Sequence, residues 1–286
     1  MNGSSRSIAI KKNIIASLFL KSISILVSLQ VVPLTINYIN PTRYGIWLTL
    51  SSIVAWLSYF DLGFAHGFRN RFAEAVAKGD MQLAREYVST TYVVLSLLFS
   101  GVFLIAIVVN HFVDWSAILN VDAAYSSELN IVFGILAFFF CLNIVASIFT
   151  TMLTANQKPA LASLIQTLGQ VFGFICIYVL TKTVPGNLDV LAFAFSGVPC
   201  FLLIIISIGM FLSGRYRHLS PSFHFVHFSL TKKIVGLGGQ FFIIMISMLF
   251  VFQLINIVIS RVAGPMAVTQ YNIAYKYFNV LVMSVN

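Results

Sequence analysis

The sequence predicts an all-α protein, a polytopic bundle of about eight transmembrane helices. Of the 286 residues, 59% are hydrophobic and only 9% are charged, whereas a soluble domain carries about 25% charged residues. So few charges cannot cover a water-exposed surface, which excludes an ordinary soluble enzyme and a disordered chain. The strands of a membrane barrel would alternate polar and apolar residues, and the apolar runs of this sequence do not.

Eight apolar runs are each long enough to cross the hydrocarbon core of a bilayer, which takes about 20 helical residues. They occupy residues 14–39, 44–64, 88–109, 129–154, 160–181, 190–212, 234–259 and 266–286. The first run follows a polar, basic N-terminus but is too long for the core of a signal peptide, so it is predicted to be a retained span. The last run stops without a polar tail, and we expect the chain to be cut inside its eighth helix.

The basic residues are distributed unevenly between the two sides of the predicted bundle. If the N-terminus is cytoplasmic, twelve of the 17 Lys and Arg residues lie on that side and two, Lys21 and Lys276, lie within spans. The other side holds Arg43, Lys182 and Arg261. Cytoplasmic loops of membrane proteins carry the excess of Lys and Arg, so this orientation is predicted. The net charge of +9 follows from topology, and no nucleic-acid partner is predicted.

Two connections on the cytoplasmic side have a character of their own. Residues 67–78 place Phe68, Phe72 and Val76 four residues apart among charged residues, which predicts an amphipathic helix lying in the membrane interface. Residues 214–233 form a basic loop with three histidines, whose spacing matches no standard metal site. We therefore predict solvated loop residues there, and neither a metal nor another cofactor. The three cysteines lie in apolar runs and are predicted to be hydrophobic residues of the bundle.

Polar residues form stripes on several of the predicted spans. At about 100° per residue, the polar residues of the first span lie within an arc of about 80°. The stripes are Asn13, Ser17, Lys21, Ser24, Ser28 and Thr35 in the first span, Asn143, Ser147, Thr150 and Thr154 in the fourth, Ser163, Gln166, Thr167 and Gln170 in the fifth, Gln253, Asn256 and Ser260 in the seventh, and Thr269, Asn272, Lys276 and Asn279 in the eighth. One interpretation is a shared hydrated cavity, and the other is hydrogen bonding between packed helices.

Lys21 and Lys276 are the candidates for ligand binding in this set. Snorkelling to the membrane surface is an alternative for Lys21, and the depth of Lys276 depends on where its helix ends. No Asp or Glu lies well inside the spans to neutralise them, and a buried ammonium without a partner attracts an anionic ligand. The candidate cavity residues are Lys21, Lys276, Ser17, Ser24, Ser28, Asn272, Asn279, Gln253 and Asn256.

The sequence contains no recognisable set of catalytic residues. It contains no Ser/His/Asp or Cys/His set in a plausible context, no phosphate-binding glycine loop and no ATPase motif. We therefore predict that the protein is not an enzyme. Transport would be driven by an ion gradient, by the gradient of the substrate or by coupling to synthesis.

The region from Pro41 to Asp80 resembles a known family. The stretch Pro41-Thr42-Arg43-Tyr44-Gly45-Ile46-Trp47, then Phe60-Asp61-Leu62-Gly63, Arg69-Asn70-Arg71 and Glu74-Ala75, is similar to the N-terminal region of O-antigen and polysaccharide flippases. These flippases belong to the multidrug/oligosaccharidyl-lipid/polysaccharide exporter superfamily. The motif residues on the cytoplasmic side are Asp61, Gly63, Arg69, Arg71 and Glu74.

The resemblance implies a fold of two helical bundles facing each other across a central cavity, with alternating access between them. Residues 1–232 would form the first bundle of six spans, and residues 233–286 the start of the second. The implied substrate is an undecaprenyl-diphosphate-linked oligosaccharide, moved across the bacterial inner membrane, with a polysaccharide polymerase and a chain-length regulator as further partners. Lys21 and Lys276 lie on the helices that carry cavity cations in related flippases, which implies that they bind the diphosphate.

Two other functions are considered. A cation-coupled multidrug exporter of the same superfamily would be expected to carry intramembrane carboxylates, and none lies well inside these spans. A membrane-bound polysaccharide-processing enzyme would need a large outer loop or a His/Asp/Arg cluster on the outer face. The longest outer connection, residues 110–128, contains His111 and three acidic residues but no basic residue.

Overall fold

The protein is built from helices. The computed structural model describes residues 3–57, 63–236 and 254–285, and these residues contain no strand, which confirms the all-α fold class. The α-helices are α1 (Gly3–Ile39), α2 (Pro41–Ala55), α3 (Phe64–Ala77), α4 (Met81–Phe112), α5 (Trp115–Leu119), α6 (Ser126–Ala146), α7 (Ile148–Ala155), α8 (Pro159–Thr183), α9 (Leu188–Ala192), α10 (Val198–Leu212), α11 (Leu254–Ala263) and α12 (Pro265–Val285). A π-helical turn, Phe193–Gly197, joins α9 to α10.

Within the part of the chain that the structure describes, five helical stretches are long and apolar enough to cross a membrane: Ile15–Ile39, Met81–Phe112, Ala123–Ala155, Pro159–Thr183 and Leu188–Leu212. They correspond to the first, third, fourth, fifth and sixth predicted spans and define a multi-pass membrane protein. The second and seventh predicted spans include residues 58–62 and 237–253, which lie outside the described residues. The eighth coincides with α12, whose Thr, Gln, Asn and Lys residues make it more polar than the five.

The turn between α1 and α2 follows from the chemistry of Asn40 and Pro41. Asn40 has a positive φ of 73°, and its side chain accepts a hydrogen bond from the Arg43 N–H at 2.9 Å. Asn is a strong N-cap, because its side-chain oxygen accepts from an N–H group of the first helical turn. Pro41 occupies the first turn of α2, where the missing N–H costs no helical hydrogen bond. The chain therefore reverses sharply here.

The buried apolar residues form two clusters at opposite ends of the bundle. One cluster joins α3, the start of α4, α7 and the segment after α10, with Phe68, Phe72, Phe149 and Tyr216 among its members. Because the loops at this end carry most of the basic residues, we call it the basic end. The other cluster, at the opposite end, includes Trp47, Leu119 and Leu188.

The amphipathic helix α3 begins at Phe64, three residues before its predicted start. Phe68 and Phe72 are fully buried in the basic-end cluster, so the apolar face packs against the protein and not against lipid. The expectation of an interfacial helix is corrected on this point, because periodicity alone does not say what covers an apolar face.

The basic loop of residues 214–233 is docked along α4 by specific hydrogen bonds. The hydroxyls of Ser89 and Thr90 accept from the N–H groups of Ser222 and His227, at 3.1 and 3.0 Å. Arg85 Nε donates to the Ser220 carbonyl at 2.9 Å. The histidines of the loop are exposed, as predicted for solvated residues, but the backbone of the loop is held in place.

A glycine allows α2 and α12 to approach closely at the opposite end. A Cβ atom on Gly45 would lie 1.8 Å from the Pro265 carbonyl oxygen, a distance that backbone atoms cannot tolerate. Thr269 Oγ1 donates to the Pro41 carbonyl at 2.6 Å across the same contact. The start of α12 is therefore fastened to the start of α2, which fixes where Lys276 lies along the bundle.

Candidate functional site: a cationic cavity between helices

Lys21 and Lys276 lie in the wall of one cavity, which we call the central cavity. It has a volume of about 470 Å³ and is lined by Lys21, Ser24, Ile25, Ser28, Tyr44, Leu48, Gln170, Asn272, Tyr275 and Lys276. Helices α1, α2, α8 and α12 each contribute to the wall. The predicted stripes of the first and eighth spans therefore face one space.

Neither ammonium group has a partner among the described residues. No hydrogen bond or ion pair of Lys21 or Lys276 exists in that part of the chain, and none of the residues lining the cavity is acidic. Lys276 lies eleven residues after Pro265, about 16 Å along α12, and is half-buried. Two cations that share a cavity without a counter-charge create a positive potential that favours an anion.

Helix packing places the two lysines beside the same wall. Ser24 Oγ lies 3.0 Å from Thr167 Oγ1, which joins α1 to α8. The Gly45 contact joins α2 to α12. Lys21 is three residues from Ser24 on α1, so both side chains fall on the face that α8 and α12 border.

Asn256 has a structural environment different from that expected of a cavity residue. It is buried, and its amide donates to Ser52 and accepts a bond of 2.8 Å from Asn272 Nδ2. We call this set, Ser52, Asn256 and Asn272, the polar seam, since it joins α2, α11 and α12. Neither Asn256 nor Ser17 lines the central cavity in the described part of the chain, whereas Asn272 belongs to both regions.

Three of the predicted site residues are not described. Asp61 and Gln253 lie outside the described residues, as does the side chain of Asn279. Their binding roles stay predictions, as do those of the residues that do line the cavity.

The motif residues of the basic end have structural roles. Gly63 caps α3 with a φ of 76°, a conformation that favours glycine. Glu74 accepts hydrogen bonds from Lys78 at 2.7 Å and Arg71 at 3.0 Å, which hold the pKa of its carboxyl below the ordinary value. Arg71 Nε also donates to the Lys233 carbonyl at 3.3 Å. The contact with Lys233 fastens α3 to the end of the basic loop.

Two further cavities lie beside the central one along α8. The apolar cavity, about 200 Å³, is lined by Val27, Ser28, Val31, Gln170, Gly173, Phe174, Ile177, Phe195, Pro199 and Lys276. The basic-end cavity, about 320 Å³, is lined by Ala65, His66, Arg69, Thr150, Thr151, Thr154, Pro159, Ala162, Ser163 and Gln166. Two residues of each of these predicted stripes, Thr150 and Thr154 in the fourth span and Ser163 and Gln166 in the fifth, line the basic-end cavity. Arg69 is the motif residue that lines it.

Sequence reasoning left Tyr44, Gln170 and Tyr275 out of the candidate cavity residues. Gln170 belonged to a polar stripe, and Tyr275 is adjacent to Lys276, so both had a signal. Tyr44 had none beyond its place in the flippase-like motif, because an aromatic residue in a span resembles a packing residue. All three line the central cavity.

Comparison with a solved structure shows which known fold the chain resembles. A solved structure in the inward-facing conformation, of a multidrug resistance MATE family transporter of the MOP superfamily, superposes with a TM-score of 0.62 at 14% sequence identity. The match covers 85% of this chain and 57% of that one, so the chain spans little more than half of the transporter. The likeness shows that this chain shares the helical fold of that part of the transporter.

The family follows from the sequence. Residues 10–286 match the model of the family described as polysaccharide biosynthesis protein, and the chain belongs to this family. This confirms the resemblance to polysaccharide flippases. No curated protein gives a significant match to the sequence.

Proposed function

We propose that this protein is a flippase that moves undecaprenyl-diphosphate-linked oligosaccharides, such as O-antigen repeat units, across the bacterial inner membrane by alternating access. The observation that carries the proposal is the pair of partnerless lysines in one cavity. A diphosphate offers several acceptor oxygens and negative charge, which suits two ammonium groups and the hydrogen-bonding side chains beside them.

The proposal includes a topology and partners. The basic end is cytoplasmic, in line with the positive-inside rule, and the substrate enters the cavities from the inner leaflet. Residues 1–232 act as the first of two bundles, with residues 233–286 beginning the second. A polysaccharide polymerase and a chain-length regulator receive the product on the outer side.

The charge of the cavity argues against a drug exporter. A cationic drug would be repelled by Lys21 and Lys276, and the described wall of the central cavity offers no carboxylate for exchange with protons or sodium ions. The described residues contain no group of three or more His, Cys, Asp or Glu side chains that could hold a metal ion, so metal-dependent processing of a polysaccharide has no support there.

The proposal is tested by ligand binding with Lys21→Ala and Lys276→Ala variants. Each should weaken binding of undecaprenyl diphosphate to the protein in lipid nanodiscs by roughly tenfold to a hundredfold, because a hydrogen bond to a charged group contributes about 1.5 to 3 kcal/mol. Binding is measured by competition against a fluorescent undecaprenyl diphosphate.

Lys182→Ala is the matched control, because it removes the same charge from an exposed position at the far end of α8. It should leave the affinity unchanged. In cells whose surface polysaccharide depends on this protein, Lys276→Ala should also cause lipid-linked repeat units to accumulate inside. Unchanged affinity in both cavity variants, or an equal loss in Lys182→Ala, would refute the diphosphate-binding role.

A further inference from the structure

One face of α8 borders all three cavities in succession. Residues Pro159, Ala162, Ser163, Gln166, Gln170, Gly173, Phe174 and Ile177 line them, and they lie within an arc of about 120° on the helix. From the basic end, the face borders first the basic-end cavity, then the central cavity and then the apolar cavity. Gln166 and Gln170, on the walls of neighbouring cavities, are one helical turn or about 6 Å apart.

The basic-end cavity holds one cation without a partner. The Arg69 guanidinium has no ion pair or hydrogen bond within residues 3–57, 63–236 and 254–285, and the ten residues of the wall include no carboxylate. By contrast, Arg71 donates to Glu74 and to the Lys233 carbonyl. An arginine that lines a cavity with all its donors available is suited to a carboxylate or phosphate.

The rest of the wall is suited to hydroxyl groups. Thr150 and Thr151 donate their single protons to the Ser147 carbonyl, at 2.8 and 3.0 Å, and Thr154 donates to the Thr150 carbonyl at 2.9 Å. Each threonine oxygen therefore has only lone pairs to offer a ligand. Ser163 and Gln166 have no partner among the described residues and add donors as well as acceptors.

We infer that the basic-end cavity binds an acidic sugar, with Arg69 on its carboxylate and the threonine, serine and glutamine side chains on its hydroxyls. This inference rests on the proposed function, since the sugar belongs to the ligand whose diphosphate occupies the central cavity. The basic-end cavity and the central cavity are neighbours along α8, since Gln166 lines one and Gln170 lines the other, as the saccharide and the diphosphate are neighbours in that ligand. The site makes the charge of the saccharide a determinant of selectivity.

The test compares three probes in nanodiscs: undecaprenyl diphosphate, the same lipid carrying a neutral disaccharide, and the same lipid carrying a disaccharide with one glucuronic acid. Arg69→Gln should weaken binding of the glucuronate probe about tenfold, the effect of one hydrogen bond to a charged group. Binding of the other two probes should stay unchanged. Arg215→Gln is the control, because it removes the same charge from an exposed residue of the basic loop that lies outside the cavity wall.

Three outcomes would overturn the inference. An equal effect of Arg69→Gln on sugar-free undecaprenyl diphosphate would assign Arg69 to the diphosphate. An unchanged affinity for the glucuronate probe would remove Arg69 from the site. An equal effect of Arg215→Gln would show that the weaker binding comes from the lower net charge of the protein and not from a site at Arg69.

A second measurement separates this inference from the proposed function. In a variant without the three native cysteines, Ser163→Cys is labelled with a water-soluble maleimide, and a free glucuronate-containing disaccharide should slow the labelling. Protection together with unaltered undecaprenyl diphosphate binding in the lysine variants would refute the proposed function and keep the sugar site. Loss of undecaprenyl diphosphate binding in the lysine variants, without protection of position 163 by the disaccharide, would refute the sugar site and keep the proposed function.

Discussion

The polar seam and the central cavity use the same kinds of residue in opposite ways. In the seam, the amide of Asn256 is buried and bonded to both Ser52 and Asn272. In the cavity, Lys276 lies four residues from Asn272 on the same helix and has no partner among the described residues. Hydrogen-bonded polar residues fasten membrane helices together, whereas an unpaired cation destabilises the bundle and invites a ligand. The presence or absence of a hydrogen-bond partner therefore distinguishes polar residues that pack the helices together from polar residues that are available to a ligand.

The largest effect is expected from Gly45→Ala, which acts on the close contact between α2 and α12, two of the helices that the seam joins. Its Cβ atom would lie 1.8 Å from the Pro265 carbonyl oxygen, so α12 must move away from α2. We expect a loss of at least about 3 kcal/mol in stability, since overpacking costs about 1 to 3 kcal/mol even where side chains can adjust. Binding of undecaprenyl diphosphate should fall as well, because Lys276 moves with α12.

Thermal unfolding in detergent measures the loss of stability. Gly101→Ala is the matched control, since a Cβ atom there meets nothing within 4 Å, and it should unfold at the wild-type temperature or slightly above. Equal unfolding temperatures for the two alanine variants would contradict the close contact between α2 and α12.

A smaller effect is expected from Asn256→Ala. The change leaves the part-buried groups of Ser52 and Asn272 without one partner each, which costs about 1 to 3 kcal/mol. The same thermal unfolding assay should show the loss, while affinity for undecaprenyl diphosphate changes little. Asn143→Ala removes an exposed amide from α6 and serves as the control, with no loss expected. A binding defect at constant stability would place Asn256 in the binding site instead of the seam.

The smallest effect, and the opposite in sign, is expected from Lys276→Met. Removing an unpaired, half-buried ammonium should stabilise the protein by about 1 kcal/mol, less than the roughly 2.5 to 3.5 kcal/mol that a charge costs at the bilayer centre on insertion scales. Thermal unfolding without ligand should show a raised midpoint, and undecaprenyl diphosphate should no longer raise it further. A lowered midpoint would mean that Lys276 stabilises the bundle as Asn256 does.

The sequence was sufficient for the fold class and for the grouping of the two lysines. Low charge and long apolar runs predict membrane helices whatever the tertiary contacts are, and a stripe predicts which residues share a face. It could not say which stripe residues would be bonded, because that depends on what the neighbouring helix presents. Thr269 and Lys276 belong to one stripe, yet Thr269 bonds to the Pro41 carbonyl and Lys276 faces a cavity. For the same reason, the sequence could not show whether Phe68 and Phe72 pack against the protein or against lipid.

The face of α8 that borders three cavities also has a definite length. From Pro159 to Ile177 the helix rises by about 27 Å, and the lining residues change from hydroxyls and an amide to apolar groups over that distance. The basic-end cavity and the apolar cavity share no lining residue, so a compact molecule cannot contact both at once. Helix α8 would therefore select ligands by their length as well as by their charge. It would favour extended amphiphiles whose polar and apolar parts are spaced like the lining residues of the helix.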